Sequence, residues 1–241
     1  MKKNPTFLLL AGTLLLPAAL SAAATFEGSM HMKIVSHKDR VVEMDYVIKS
    51  NRARVTPLVG EKAAPMAMII DYGKLEMTTL MPEKKTYIVM SIKPPEDSAA
   101  KQPDELKASL EKTGETEKIL GYTCEKYLLK TKDATSELWL TDGLGTFLGL
   151  GSGANPMGGW HAKGATAQAW EKALAGKNMF PLRVVGLTGR GKGDRMEVTE
   201  IKKESVPDSE FVPPDDFKKF ELPPVADMLK GLMKGLTPEN Q

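Results

Sequence analysis

The chain has few of the residues from which catalytic and metal centres are built. Its 241 residues include one cysteine, Cys124, and three histidines, His31, His37 and His161. A single cysteine excludes an intrachain disulfide. None of the histidines stands in an H-E-x-x-H or comparable metal-binding spacing. Positions 20–26 hold no cysteine, so the acyl anchor of a bacterial lipoprotein has no attachment point there. Net charge is also lacking. The 33 basic residues exceed the 31 acidic ones by two, and Lys2 and Lys3 account for that excess. Beyond them the chain is balanced, with no net field to draw it to nucleic acid or anionic lipid. The uncharged stretch Phe7–Leu20 is too short to span a membrane. As a helix it covers about 20 Å, against a hydrocarbon core of about 30 Å.

What is present at the N-terminus reads as an export signal. Lys2 and Lys3 precede the apolar stretch, and Ala22-Ala23-Ala24 follows it as a small-residue cleavage site. The expected organisation is a cleaved signal over 1–24, one domain over 25–222 and a tail over 223–241. The mature protein is then expected in the periplasm or secreted, with no transmembrane span, away from nucleotide cofactors and reducing thiols. Its length is enough to bury one core without covalent staples.

The segment after the signal alternates in period two. Phe26, Gly28, Met30, Met32 and Ile34 fall on one face, and Val42, Met44, Tyr46 and Ile48 repeat the pattern after a polar turn. Such alternation predicts antiparallel strands with one buried and one wet face. Further strands are predicted over Arg52–Leu58, Met66–Tyr72, Leu75–Leu80, Thr86–Ile92, Thr116–Ile119, Tyr122–Thr131, Thr135–Thr141, Phe180–Leu187 and Arg195–Lys203. Helical spacing appears in Asp104–Lys112 and Ala165–Ala175. Between them Asp142–Gly164 is rich in glycine yet carries Phe147 and Trp160, the composition of a long functional loop. About eleven strands and a few helices predict an α+β fold: a strongly curved antiparallel sheet, a half-open barrel, covered by helices.

The tail is a unit of its own. Asp208–Leu222 reads as extended chain punctuated by prolines. Val225, Met228, Leu229, Leu232, Met233 and Leu236 then form an apolar stripe along one helix. Gly231 and Gly235 weaken that helix by about 1 kcal/mol each relative to alanine, so it forms when its stripe is covered.

Two glycine-rich segments imitate nucleotide loops and fail the test of context. Gly186–Gly193 ends in glycine where a phosphate loop needs Ser or Thr, and it joins two strands rather than a strand and a helix. Gly149-Leu150-Gly151 has no acidic residue in the βαβ context of a dinucleotide site, and Ser152 beside it lacks the G-x-S-x-G frame of a serine hydrolase. No cofactor is therefore expected, and no enzyme. Methionine is the one enrichment, at fourteen residues. Met30-His31-Met32 and Met66-Ala67-Met68 raise a soft Cu(I) site, although a strand points His31 away from its neighbours. A methionine-lined apolar face is the simpler account.

The segments Thr113–Tyr127, Glu137-Leu138-Trp139, Phe180-Pro181-Leu182-Arg183, Glu197–Ser205 and Phe211–Lys219 together resemble the bacterial domain of unknown function 4412 family. The resemblance covers most of the chain after the signal. It implies an exported protein similar in fold to lipoprotein-localisation factors, a half-open antiparallel barrel closed by helices over a hydrophobic cavity. It brings no catalytic or ligand residue with it, and fold alone does not assign a function.

The leading expectation is a non-catalytic cell-envelope protein whose concave sheet binds a lipid or other apolar ligand. Met30, Met32, Met44 and Met68 would line the sheet, and Trp160 and Trp170 the covering segment. The alternative is an interaction module whose tail helix, through Met228, Leu229, Leu232, Met233 and Leu236, docks on an envelope protein or membrane surface. A Cu(I)-binding protein comes third.

Overall fold

The computed structural model describes residues 26–59, 62–63, 66–92, 108–147, 149, 170, 173–174 and 177–221. Thirteen strands form one sheet: β1 (Glu27–Val35), β2 (Val41–Lys49), β3 (Arg52–Val59), β4 (Lys62–Ala63), β5 (Ala67–Asp71), β6 (Glu76–Met81), β7 (Thr86–Ser91), β8 (Ser109–Ile119), β9 (Tyr122–Lys130), β10 (Thr135–Thr141), β11 (Phe180–Gly186), β12 (Arg195–Lys203) and β13 (Lys218–Lys219). Twelve follow the order β13-β7-β6-β5-β3-β2-β1-β12-β11-β10-β9-β8, and β4 pairs with β3 off that path. Every pairing is antiparallel except β13 with β7.

The α+β expectation is overturned. The described elements are strands and three short 3₁₀ turns, at Pro82–Lys84, Gly189–Gly191 and Asp208–Phe211. The helix expected over Asp104–Lys112 is replaced where it is described: Ser109–Lys112 opens β8 and pairs with Tyr127–Lys130. Leu106 and Leu110 alone give a helix too short to stand in water, whereas pairing satisfies the backbone directly. Of the Ala165–Ala175 helix, Trp170, Ala173 and Leu174 are described and are helical; the tail helix lies outside the described residues. No helix among those described is long and apolar enough to cross a membrane.

The sheet is open, with β13 and β8 at its margins, and β1 and β12 join its two halves, pairing Met30 with Ile201 and Met32 with Val198. Side chains from β2 and β11 then meet on the inner face: the Tyr46 and Phe180 rings lie 5.9 Å apart. Three strand spacings separate those strands, about 14 Å in a flat sheet. The sheet therefore curls over its own core, a single cluster running from Met77 on β6 to Leu129 on β9.

A second, smaller core lies on the outer face. After β12 the chain turns back as a strap, residues 204–217, and Val206 and Phe211 cover Ala67, Ile69 and Leu80. Ion pairs fasten it. Arg52 binds Asp208 at 2.6 Å, Arg54 binds Glu210 at 3.0 Å and Lys85 binds Asp216 at 2.8 Å. Lys49 donates to the Val206 carbonyl at 2.7 Å and reaches Asp208 at 3.2 Å. The Arg52 guanidinium also lies over the Phe211 ring.

Hydrogen bonds from Arg52 and Lys49 hold the Asp208 carboxyl below its ordinary range, and Lys85 does the same to Asp216. A depressed folded value stabilises the protein above the unfolded pKa, about 3.9 for aspartate, and that contribution disappears as the pH falls through the folded value. Asp208→Asn is accordingly expected to lower the urea midpoint at pH 6, and the gap from the parent to narrow at pH 3. A gap of equal size at both values would show that the carboxylate charge does not fasten the strap.

Candidate functional site

The methionines predicted to line the sheet converge. Met30, Met32, Met44 and Met68 are each 0–2% exposed and belong to the same cluster as Trp170. Register explains the meeting: Met32 lies opposite Met44, and Met30 opposite Tyr46, on neighbouring antiparallel strands. Met77 on β6 extends the row and is fully buried. Trp160, Met228, Leu229, Leu232, Met233 and Leu236 lie outside the described residues.

A cover sits over this face between β10 and β11. Leu144, Phe147, Trp170 and Leu174 are buried against it. Phe147 is the hub, stacking on Trp170 at 5.2 Å and on Tyr46 at 6.0 Å and meeting the edge of Phe180 at 5.3 Å. Its backbone N–H donates to the Met179 carbonyl at 3.2 Å, tying the two ends of the covering excursion together. The wall is thus thioether, aliphatic and aromatic. Polar groups near it are engaged: the Thr141 hydroxyl accepts the Gly143 N–H, and no described buried side-chain N or O lacks a partner. Such a surface offers dispersion contacts and no unpaired polar group.

His31 points to the outer face, as strand alternation requires, with Nδ1 3.0 Å from Asp45 and Nε2 3.9 Å from Glu43. It is therefore separated by the sheet from Met30 and Met32. A shallow groove of about 220 Å³ beside it is lined by Ser29, Met30, His31, Asp45, Val47, Glu200 and Lys202. His37 pairs with Asp194 at 2.8 Å. Among the described residues no three His, Cys, Asp or Glu side chains come together as a metal site. Cys124 is fully buried, and burial pushes its thiol pKa up, which suppresses the reactive thiolate.

Sequence reasoning did not foresee the charged row on the outer face of β8 to β12. Lys126 and Arg183 flank the Trp139 ring at 5.7 and 6.0 Å. Arg183 grips Glu117 with two nitrogens, at 2.9 and 3.2 Å, and reaches Glu197 at 3.4 Å. Lys126 binds Glu115 and Glu137, each at 3.1 Å, and the Trp139 indole N–H donates to Glu137 at 2.7 Å. The hydrogen bonds that Lys126 donates to Glu115 and Glu137 raise its pKa, and those that Arg183 donates to Glu117 do the same for it. These residues come from segments up to 82 positions apart, Glu115 to Glu197. Each was visible as a polar position on a strand, but their adjacency needs the strand order. With both cations paired, the row clamps five strands together.

No curated protein sequence matches the chain. Among solved structures, an uncharacterized conserved protein from Thermus thermophilus is similar at 12% identity and TM-score 0.45, over 80% of this chain and 91% of that one. PNGF-II is similar in two crystal forms, at 14% and 15% identity with TM-scores of 0.48 and 0.46; this chain spans 33% of its length. A family model matches residues 26–217, from the first described residue to the end of the strap. The chain belongs to the domain of unknown function family DUF4412.

Proposed function

We propose that this is an exported, non-catalytic cell-envelope protein that holds an apolar, chain-like ligand against the methionine face of its sheet. One observation carries the reading: methionines from β1, β2, β5 and β6 meet on one buried face beneath a cover of stacked rings. Methionine is unbranched and polarizable, so a wall built from it repacks around guests of differing shape. The cover is held to the face by side-chain stacking, and its ends are tied at Phe147 and Met179. A ligand enters by lifting those rings.

The test is native mass spectrometry of the protein purified from its own envelope. The expected result is a retained apolar mass that is lost on organic extraction, with the extracted protein then taking up a fluorescent fatty acid. Protein that is ligand-free in every preparation and takes up no probe would overturn the reading.

A further inference from the structure

The two margins of the sheet differ. At one of them β13 runs parallel to β7, with Lys218 beside Thr86 and Lys219 beside Tyr87. The Lys218 N–H donates to the Lys85 carbonyl at 2.9 Å, and the Phe220 N–H to the Tyr87 carbonyl at 2.7 Å. The chain therefore leaves the strap at the rim, heading along β7 toward Ser91. Pro223 and Pro224 have no N–H to give a ladder. The stripe begins one residue later. Val225 lies four residues beyond Glu221, a reach of at most about 14 Å.

Two faces of the sheet lie within that reach. On the outer one the strap already covers the apolar side chains, with Tyr87 and Phe217 packed against Ala67, Ile69 and Leu80. On the inner one burial falls off at the margin. Met77 is fully buried, yet its cross-strand partner Met90 is only partly buried, as are Ile88 and Ile92. Met90 and Ile92 touch the main core and continue it to the rim.

We propose that the chain's own segment Val225–Leu236 docks on this inner margin. It lies there as a helix with Met228, Leu229, Leu232, Met233 and Leu236 over Ile88, Met90 and Ile92. Twelve helical residues measure about 18 Å, the width of nearly four strands at about 4.8 Å each. Lys230 and Lys234, off the stripe, remain in water. The docked face supplies the cover without which two glycines would leave this helix unstable.

Disulfide trapping tests this. Cys124 is fully buried and stays in place as an unreactive thiol. Under mild oxidation Met90→Cys with Leu229→Cys is expected to form an intramolecular bond, and the bond is expected to be lost when Lys230→Cys replaces Leu229→Cys. Ile92→Cys provides a second sheet position if Met90→Cys disturbs folding. Equal trapping from both tail positions would overturn the proposal, as would bonds formed only between two copies. So would a tail whose amides gain hydrogen-exchange protection only when anionic phospholipid vesicles are added.

Discussion

Gly186→Ala is expected to destabilise the protein at the upper end of the roughly 1–3 kcal/mol range for overpacking, or beyond it. A Cβ at Gly186 would stand 1.8 Å from the Gly191 carbonyl oxygen and 2.6 Å from its carbon. Neither backbone can retreat. The Gly186 N–H donates to Asp194 at 2.8 Å, the Gly193 N–H returns to Gly186 at 2.9 Å, and the Asp194 N–H binds the Gly191 carbonyl at 2.9 Å. Gly189 is confined from the other side: its φ is +74°, and a Cβ there would meet the Asp133 carbonyl at 2.4 Å. The glycines that imitate a phosphate loop are thus explained by a hairpin folded tightly on itself. Gly121→Ala supplies the contrast. Its φ is +86° but nothing lies within 4 Å, so only left-handed strain of about 1–2 kcal/mol applies. Urea unfolding of both variants decides the matter; equal midpoints would show that the hairpin yields and the clash is relieved.

Period-two alternation made most strands readable before their partners were known. Thr135–Thr141 and Arg195–Lys203 are strands over the expected spans, and the buried face of β1 and β2 is the predicted one. Strand order was not readable. β1 lies between β2 and β12, and its pairing of Met30 with Ile201 joins residues about seven-tenths of the chain apart. Nothing local encodes such a contact. Bulges in β8, β11 and β12 also shift the register, at 113–115, at Leu182 opposite Trp139–Leu140 and at Thr199 opposite His31–Met32, so strict alternation fails in those strands. The strap left one legible trace that periodicity passed over. Ala67-Met68-Ile69-Ile70 is an unbroken apolar run with all four residues buried, the mark of a strand covered on both sides. A second layer over β5 follows from that run, although the identity of the layer does not. The methionine face was legible as a pattern; Phe147 as the hub of its cover was not, because stacking depends on how an irregular segment returns to the sheet.

Phe180→Ala is expected to lose about 3–5 kcal/mol, whereas replacing Met30, Met32, Met44 and Met68 by leucine leaves the fold intact at less than about 1.5 kcal/mol per position. Phe180 is fully buried and presents its ring edge-on to both Tyr46 and Phe147, so truncation opens a cavity and removes two aromatic contacts. Methionine and leucine have similar volumes, so the leucine protein keeps its core filled and loses the flexible thioether arms. The two variants therefore separate packing from recognition. If the methionines serve the ligand, the four-leucine protein still unfolds cooperatively in urea but takes up a fluorescent fatty acid more weakly, because a branched wall adapts less readily to a guest. If uptake by the leucine protein equals that of the parent, the methionines fill space and recognition rests on the rings of the cover. Phe147→Leu would then be the substitution that weakens uptake, since it removes the stacking on Trp170 and Tyr46 while keeping an apolar side chain at the hub.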